Sequence, residues 1–315
     1  LLGIIDEPLA GLAGWRLMPD ALLAAGDSMA AAEAFREAYQ QLTGDRRVTA
    51  GIELAELLLA GRDTTTARAL LLEGLEEAPV ALREQLAVLL LDLGDTDREL
   101  TLELARILDL AGDGRRALSG YDRVAALYAN STDGMDVPLS MRVERARLMG
   151  TVEGRQEEAI EEFRAIREIV TEDRIGGRNL ELWAQLRRRQ GLDEHVRTLR
   201  RWLIEEHPSS SEAAEVMWSQ ASQADSQGEA EAALRQYAFL SDNARTHARA
   251  GEARMRSGQI HLGRSDRENA VGVFEGYLED FPEGRRWQEA SYWAGRTRME
   301  LGDTIVAEEH IRQIM

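Results

Sequence analysis

Apolar side chains recur along this chain at separations of three and four, the period of a helix buried along one face. Between Ala159 and Val170, the residues Ala159, Phe163, Ile166 and Val170 fall on one line, while Glu157, Glu158, Glu161 and Glu162 fall off it toward water. No segment sustains the strict alternation of a strand. The clearest unit is residues 284–315, GRRWQEASYWAGRTRMELGDTIVAEEHIRQIM. It reads as one helix from about Arg285 to Leu301 and a second from Thr304 onward, joined at Gly302-Asp303. Glycine just past a helix takes the left-handed conformation at no steric cost, and Asp303 or Thr304 can then cap the next helix.

That hairpin repeats. The small residue Ala307 is preceded at steps of 37 by Ala270, Ala233, Val196 and Ala159. Four residues after each come Ile311, Phe274, Tyr237, Arg200 and Phe163, and five before come Gly302, Ser265, Gly228, Gly191 and Gly154. A two-helix unit cannot bury its apolar face alone, so the units must stack. The expected fold is all-α: an α-solenoid of stacked helical hairpins, wound as a right-handed superhelix, with at least fourteen helices and no sheet.

Nearer the start, helices are expected over Pro8 to Ala25 and Met29 to Leu42, then Val48 to Ala60 and Asp63 to Glu76 with Gly61 at the turn. The rhythm slips next. Pro79 to Leu93 is followed by Thr96-x-x-Glu99, which reads as a capping box, and the 50 residues from Ala67 to Ala117 leave room for one extra helix. The turn-rich ANSTDGMDV after Tyr128 is either a surface loop or a hinge; prompt resumption of helical phase favours a loop. Residues 1–130 are thus an irregular helical-repeat segment and residues 138–315 the regular array, possible parts of one superhelix, with Arg174 to Gly177 as a glycine-containing turn within the latter.

Composition narrows the function classes. A net charge of −18 and a pI near 4.8 disfavour nucleic acid as partner. The local exception is Arg187, Arg188 and Arg189 with Arg197, Arg200 and Arg201, read as a solvated helix face before an anion site. The chain has no cysteine, so disulfides, thiolate nucleophiles and thiolate-bound metals are excluded together. No apolar run reaches the roughly 18 residues of a membrane span. The opening LLGIIDEPLAG, with neither initiator methionine nor basic leader, is expected to be the interior of a longer protein.

Chemistry is sparse. His195, His207, His247, His261 and His310 are dispersed, so no metal site is expected. GQIHLG at 258–263 lacks the strand and the spacing of a phosphate loop, and no cofactor motif appears elsewhere. Among 56 acidic residues no pair stands out for catalysis, so no catalytic residue is assigned.

Gly258, Ala270, Phe274 and Pro282, and again Ala221, Ala233 and Tyr237, resemble the small, aromatic and proline positions of tetratricopeptide repeats, although the step is 37 where that family uses 34. FEGYLEDFPEGRRWQEASYWAGRTRMELGD, centred on Tyr292-Trp293-Ala294-Gly295-Arg296, is similar to the superhelical region that precedes the catalytic domain of soluble lytic transglycosylases. That second resemblance implies a non-catalytic part of a periplasmic or envelope enzyme of peptidoglycan turnover, because the family's Glu-Ser dipeptide is absent from this chain. The implied partner is a peptidoglycan strand, or, for a free-standing adaptor, a protein or peptide. The tetratricopeptide resemblance places Glu144, Leu148, Glu181, Gln185, Trp218, Ser222, Met255, Gln259, Tyr292 and Arg296 on the concave face. Of these, Trp218, Tyr292, Arg296, Met255 and Gln259 are the candidate binding residues. Trp218 and Tyr292 either pack between helices or face a ligand, and Arg296 either meets a carboxylate or pairs with Glu289 or Glu300.

Overall fold

The computed structural model describes residues 14–94, 96–132 and 134–314. All regular structure among them is α-helical, in seventeen helices. The chain divides into two compact units, Leu1–Pro138 and Leu139–Met315. The first holds α1 (Leu17–Ala24), α2 (Ser28–Gln41), α3 (Asp45–Ala60), α4 (Thr64–Glu77), α5 (Val80–Leu93), α6 (Arg98–Ala111) and α7 (Gly114–Ala129). The second holds α8 (Leu139–Met149), α9 (Gln156–Ile169), α10 (Asp173–Arg189), α11 (Asp193–Glu206), α12 (Ser211–Ser226), α13 (Ala230–Asn243), α14 (Ala248–Gly263), α15 (Arg267–Asp280), α16 (Trp287–Glu300) and α17 (Thr304–Arg312). The expected start of the first helix at Pro8 lies outside the described residues. The extra helix between Ala67 and Ala117 is present, since α5 and α6 both lie between α4 and α7.

One backbone device builds the hairpins. Five residues before each buried small residue the chain enters the left-handed region, at Gly26, Arg62, Gly112, Gly154, Gly191, Gly228, Ser265 and Gly302. At all of these but Gly154, the next N–H reaches back to the helix carbonyl five residues before it, as Asp63 N to Leu58 O at 2.8 Å and Asp266 N to His261 O at 2.9 Å. Where that next residue is aspartate, at Asp27, Asp63, Asp113, Asp266 and Asp303, its carboxylate accepts from the backbone three residues on and caps the second helix. Gly61 lies in the second turn as expected but keeps a right-handed conformation (φ −79°), and Arg62 beside it takes the left-handed one.

Two expectations are corrected. Thr96 does not cap α6. Its hydroxyl is buried against that of Thr101 at 2.6 Å, and Asp97 accepts from Leu100 N at 2.8 Å instead. Arg174 to Gly177 is no turn but the opening of α10. Its glycines are needed for close approach: a Cβ on Gly176 would stand 2.1 Å from His207 Nε2, and one on Gly177 2.4 Å from Ser210 Cβ.

The core follows the repeat. Ala159, Val196, Ala233, Ala270 and Ala307 are all buried, as are Phe163, Tyr237 and Phe274 one turn on. Phe163 stacks on Trp183 at 6.5 Å and Phe274 on Trp293 at 6.4 Å, so α9 and α15 each grip the first helix of the next hairpin through an aromatic pair. Within the second unit α8 touches α10, α10 touches α12 and α12 touches α14, while no comparable contact joins α9, α11, α13 and α15 to one another. First helices therefore form the tighter side of this unit.

Candidate functional site

The repeat fails at one core position, and there a cleft opens. Where α9, α13 and α15 carry Phe163, Tyr237 and Phe274, each at most 1% exposed, α11 carries Arg200. A guanidinium cannot replace an aromatic ring in an apolar slot without losing its water. A cleft of about 380 Å³ lies between α10 and α12, lined by Arg200, by Arg178, Glu181 and Gln185 of α10, and by Glu212, Glu215, Ser219, Gln220 and Gln223 of α12.

Some of its charges are already committed. Arg178 donates to Glu144 at 3.3 Å, and Glu215 accepts from Arg249 at 3.1 Å. Gln185 donates to Glu181 Oε1 at 3.1 Å. Glu181 Oε2 and Arg200 Nε, by contrast, are both shielded and have no hydrogen-bond partner among the described residues. An unmet buried polar atom costs about 1–3 kcal/mol. The cleft therefore lacks a donor for Glu181 and an acceptor for Arg200, and offers serine and glutamine groups that can act as either. A peptide unit carries one N–H and one C=O.

The residues singled out from sequence are differently placed. Met255 is fully buried in a core with Ala270, Phe274, Tyr277, Ala290 and Ala294, and Leu148 is also buried, so neither faces a ligand. Trp218 is half-buried, tilted against Tyr237 at 5.4 Å and covered by the Arg249 guanidinium at 4.9 Å. Tyr292 is 48% exposed and meets Trp293 edge-on. It occupies the repeat position of Met255, but no described helix covers it as α16 covers Met255. Arg296 pairs with Glu300 at 3.4 Å and lies over Trp293 at 5.4 Å, while Glu289 is taken by Arg286. The Tyr292 hydroxyl and Glu300 hold the Arg296 guanidinium still more firmly protonated than usual. Gln259 accepts from Arg256 at 3.3 Å. Only Glu181 and Gln185 of the predicted face reach the cleft; Arg200 was visible in the sequence as the exception in the aromatic column.

Other constellations resolve into structure. His207 Nδ1 lies 3.2 Å from Asp173 Oδ1, and Ser209 donates to the same carboxylate; among the described residues no serine hydroxyl is hydrogen-bonded to the imidazole. Burial pushes the Asp173 carboxyl up, and the hydrogen bonds from Ser209 and His207 outweigh it to leave it below the usual range. The arginine run disperses: Arg187 donates to Gln190 and Arg197 to Glu194, Arg188 and Arg189 flank a separate cleft beside Arg147, and Arg201 is exposed. Among the described residues no group of three or more histidine or acidic side chains is placed to hold a metal ion, and no helix is long and apolar enough to cross a membrane.

No protein-family model and no curated protein matches the chain in sequence. Solved structures resemble it. A tetratricopeptide repeat protein from Parabacteroides merdae ATCC 43184 aligns with 90% of this chain and 97% of its own, at 14% identity and a TM-score of 0.33. The C-terminal part of a TPR repeat-containing protein from Cytophaga hutchinsonii aligns with 88% and 98%, at 12% identity and a TM-score of 0.37. The helical-repeat fold stands on the hairpins and turns described above and draws nothing further from these likenesses.

Proposed function

We propose that this chain is a non-catalytic helical-repeat scaffold that holds an extended segment of a partner polypeptide in the Arg200 cleft. The observation carrying the reading is the pair of unmet groups, Glu181 Oε2 and Arg200 Nε, in a cleft created by the loss of a repeat aromatic. Both atoms are shielded and unpartnered in the free protein; a peptide main chain carries a donor and an acceptor together and adds contacts along the serine and glutamine rows.

The test restores the missing ring. Arg200→Phe gives α11 the side chain its neighbours use, so the fold should persist while the cleft fills. Wild type is expected to bind a subset of an immobilised array of random twelve-residue peptides, and Arg200→Phe, with unchanged circular dichroism, to lose that subset. An identical binding pattern in the two proteins, or no binding by wild type, would refute the reading.

A second reading makes the chain the non-catalytic part of a periplasmic lytic transglycosylase, restraining peptidoglycan. It stands on the phrase Tyr292 to Arg296. Packing accounts for much of that phrase: Trp293 stacks on Phe274, Ala294 is fully buried, and a Cβ on Gly295 would come within 3.2 Å of α17. Sedimentation with purified sacculi separates the two readings, since retention undiminished by Arg200→Phe, with no peptide binding, favours the second.

A further inference from the structure

A second cleft, of about 610 Å³, lies at the N-terminal ends of α12, α14 and α16 and shares Glu215 with the Arg200 cleft. Four guanidinium groups line it, from Arg245, Arg249, Arg285 and Arg286, against two carboxylates, Glu215 and Glu252. This is a cationic site on a chain of net charge −18.

The carboxylates are spent by a ladder that repeats with the fold. Glu215 of α12 accepts from Arg249 of α14 at 3.1 Å, and 37 residues on, Glu252 of α14 accepts from Arg286 at 2.8 Å. Arg286 also takes Glu289 at 2.8 Å. His247 adds no negative charge; its Nδ1 accepts from Arg249 N and its Nε2 stands 3.9 Å from Glu215. Arg245 and Arg285 are left exposed, and among the described residues no carboxylate stands at ion-pair distance from either. Glu283, in the same loop as Arg285, does not line the cleft.

The wall is aromatic. Tyr277 and Phe281 meet at 5.1 Å, and the backbone closes on Tyr277 at two glycines: a Cβ on Gly284 would stand 2.4 Å from its hydroxyl and one on Gly251 3.1 Å from its ring. The hydroxyl accepts from Arg286 N at 3.1 Å and so ties down the loop that carries Arg285. The two uncompensated arginines are thus presented beside an apolar surface from a braced loop.

We propose that Arg245 and Arg285 form an oxyanion site for a phosphate monoester carried on an apolar or aromatic body. Guanidinium forks match phosphate oxygens in pairs. A compact dianion suits the site better than an extended polyanion, because screening confines attraction to about 8–10 Å while a long anionic chain meets the acidic remainder of the surface. The group can arrive as a free small molecule or on a phosphorylated side chain.

Phenyl phosphate is the probe, measured by isothermal titration calorimetry at low ionic strength with benzyl alcohol as the uncharged control. Wild type is expected to bind phenyl phosphate at least ten-fold more tightly than does Arg245→Gln/Arg285→Gln, which keeps two exposed stems and should keep the helical spectrum. Arg188→Gln/Arg189→Gln and Arg200→Phe are expected to leave binding unchanged, which separates this site from the peptide cleft. A capped phosphotyrosine pentapeptide binding ten-fold more tightly than phenyl phosphate supports the site with a modified polypeptide as source; equal affinities support it with a free monoester. Absence of binding at millimolar concentration, or equal binding by the Arg245/Arg285 double variant, would overturn the proposal.

Discussion

Replacing Ser265 by glycine should stabilise the second unit. Of the eight hairpin turns that enter the left-handed region, six use glycine at φ between 73° and 90°, whereas Ser265 sits at φ 61° and Arg62 at φ 68°. A residue with a Cβ pays about 1–2 kcal/mol for that conformation, and glycine returns part of the gain because its unfolded chain is freer, by roughly 0.5–1 kcal/mol. Ser265 is exposed, and its side chain makes no hydrogen bond among the described residues, so little else changes. The net expectation is a gain of about 0.5–1 kcal/mol for Ser265→Gly. Gly228→Ala is the mirror experiment: at φ 77° with nothing within 4 Å of the added Cβ, the penalty is torsional alone, and a loss of about 1 kcal/mol follows. Urea unfolding followed by helical circular dichroism reads both as shifts of midpoint at constant slope. A Ser265→Gly midpoint at or below wild type, with Gly228→Ala neutral, would show that these turns do not set the hairpins.

Further expectations come from other contacts. Gly258→Ala drives a Cβ to 2.5 Å from Phe274 Cε1 in a closed core and should cost about 1–3 kcal/mol, partly recovered in Gly258→Ala/Phe274→Leu. The Arg298 hydrogen bond, against burial and helped by His310, holds the Glu275 carboxyl below the usual range. Its stabilisation is therefore present above the unfolded value near 4.3 and is lost as pH falls through the folded value. Glu275→Gln should be destabilised by roughly 1–2 kcal/mol at pH 7, and the gap from wild type should close below about pH 4; a gap constant from pH 7 to pH 3 would refute the assignment. Met255→Ala should lose about 2–5 kcal/mol, measured by thermal unfolding, as a core residue and not as a groove residue.

The hairpins were legible because three sequence signals coincide in them: a small residue, an aromatic one turn later and a glycine five before. Where only one signal was present the reading slipped. Gly61 does lie in its turn, yet the left-handed residue is Arg62, where the register counted back from Ala67 points. Thr96 matched a capping pattern, but Asp97 offered a carboxylate in better position and freed the threonine for a buried hydroxyl pair with Thr101. Gly176 and Gly177 looked like a turn because glycine serves turns and close packing alike; only the positions of His207 and Ser210 distinguish the two uses.

The candidate face was harder to read because exposure at a repeat position depends on the neighbouring hairpin as well as on the residue itself. Met255 and Tyr292 share one position, yet α16 buries the first and no described helix covers the second. Exposure of Tyr292 is thus a poor sign of a ligand. A break in the aromatic column is a better one, because Arg200 removes a buried ring and introduces groups that the hairpin does not satisfy. If this logic holds, Phe163→Arg, which imposes the same break one hairpin earlier, should enlarge the existing cleft beside Arg147 and Leu186 while costing at least the roughly 3–5 kcal/mol of a lost buried aromatic. Measured stability of Phe163→Arg equal to wild type would show that the aromatic column is not what closes these slots, and the origin assigned to the Arg200 cleft would fall with it.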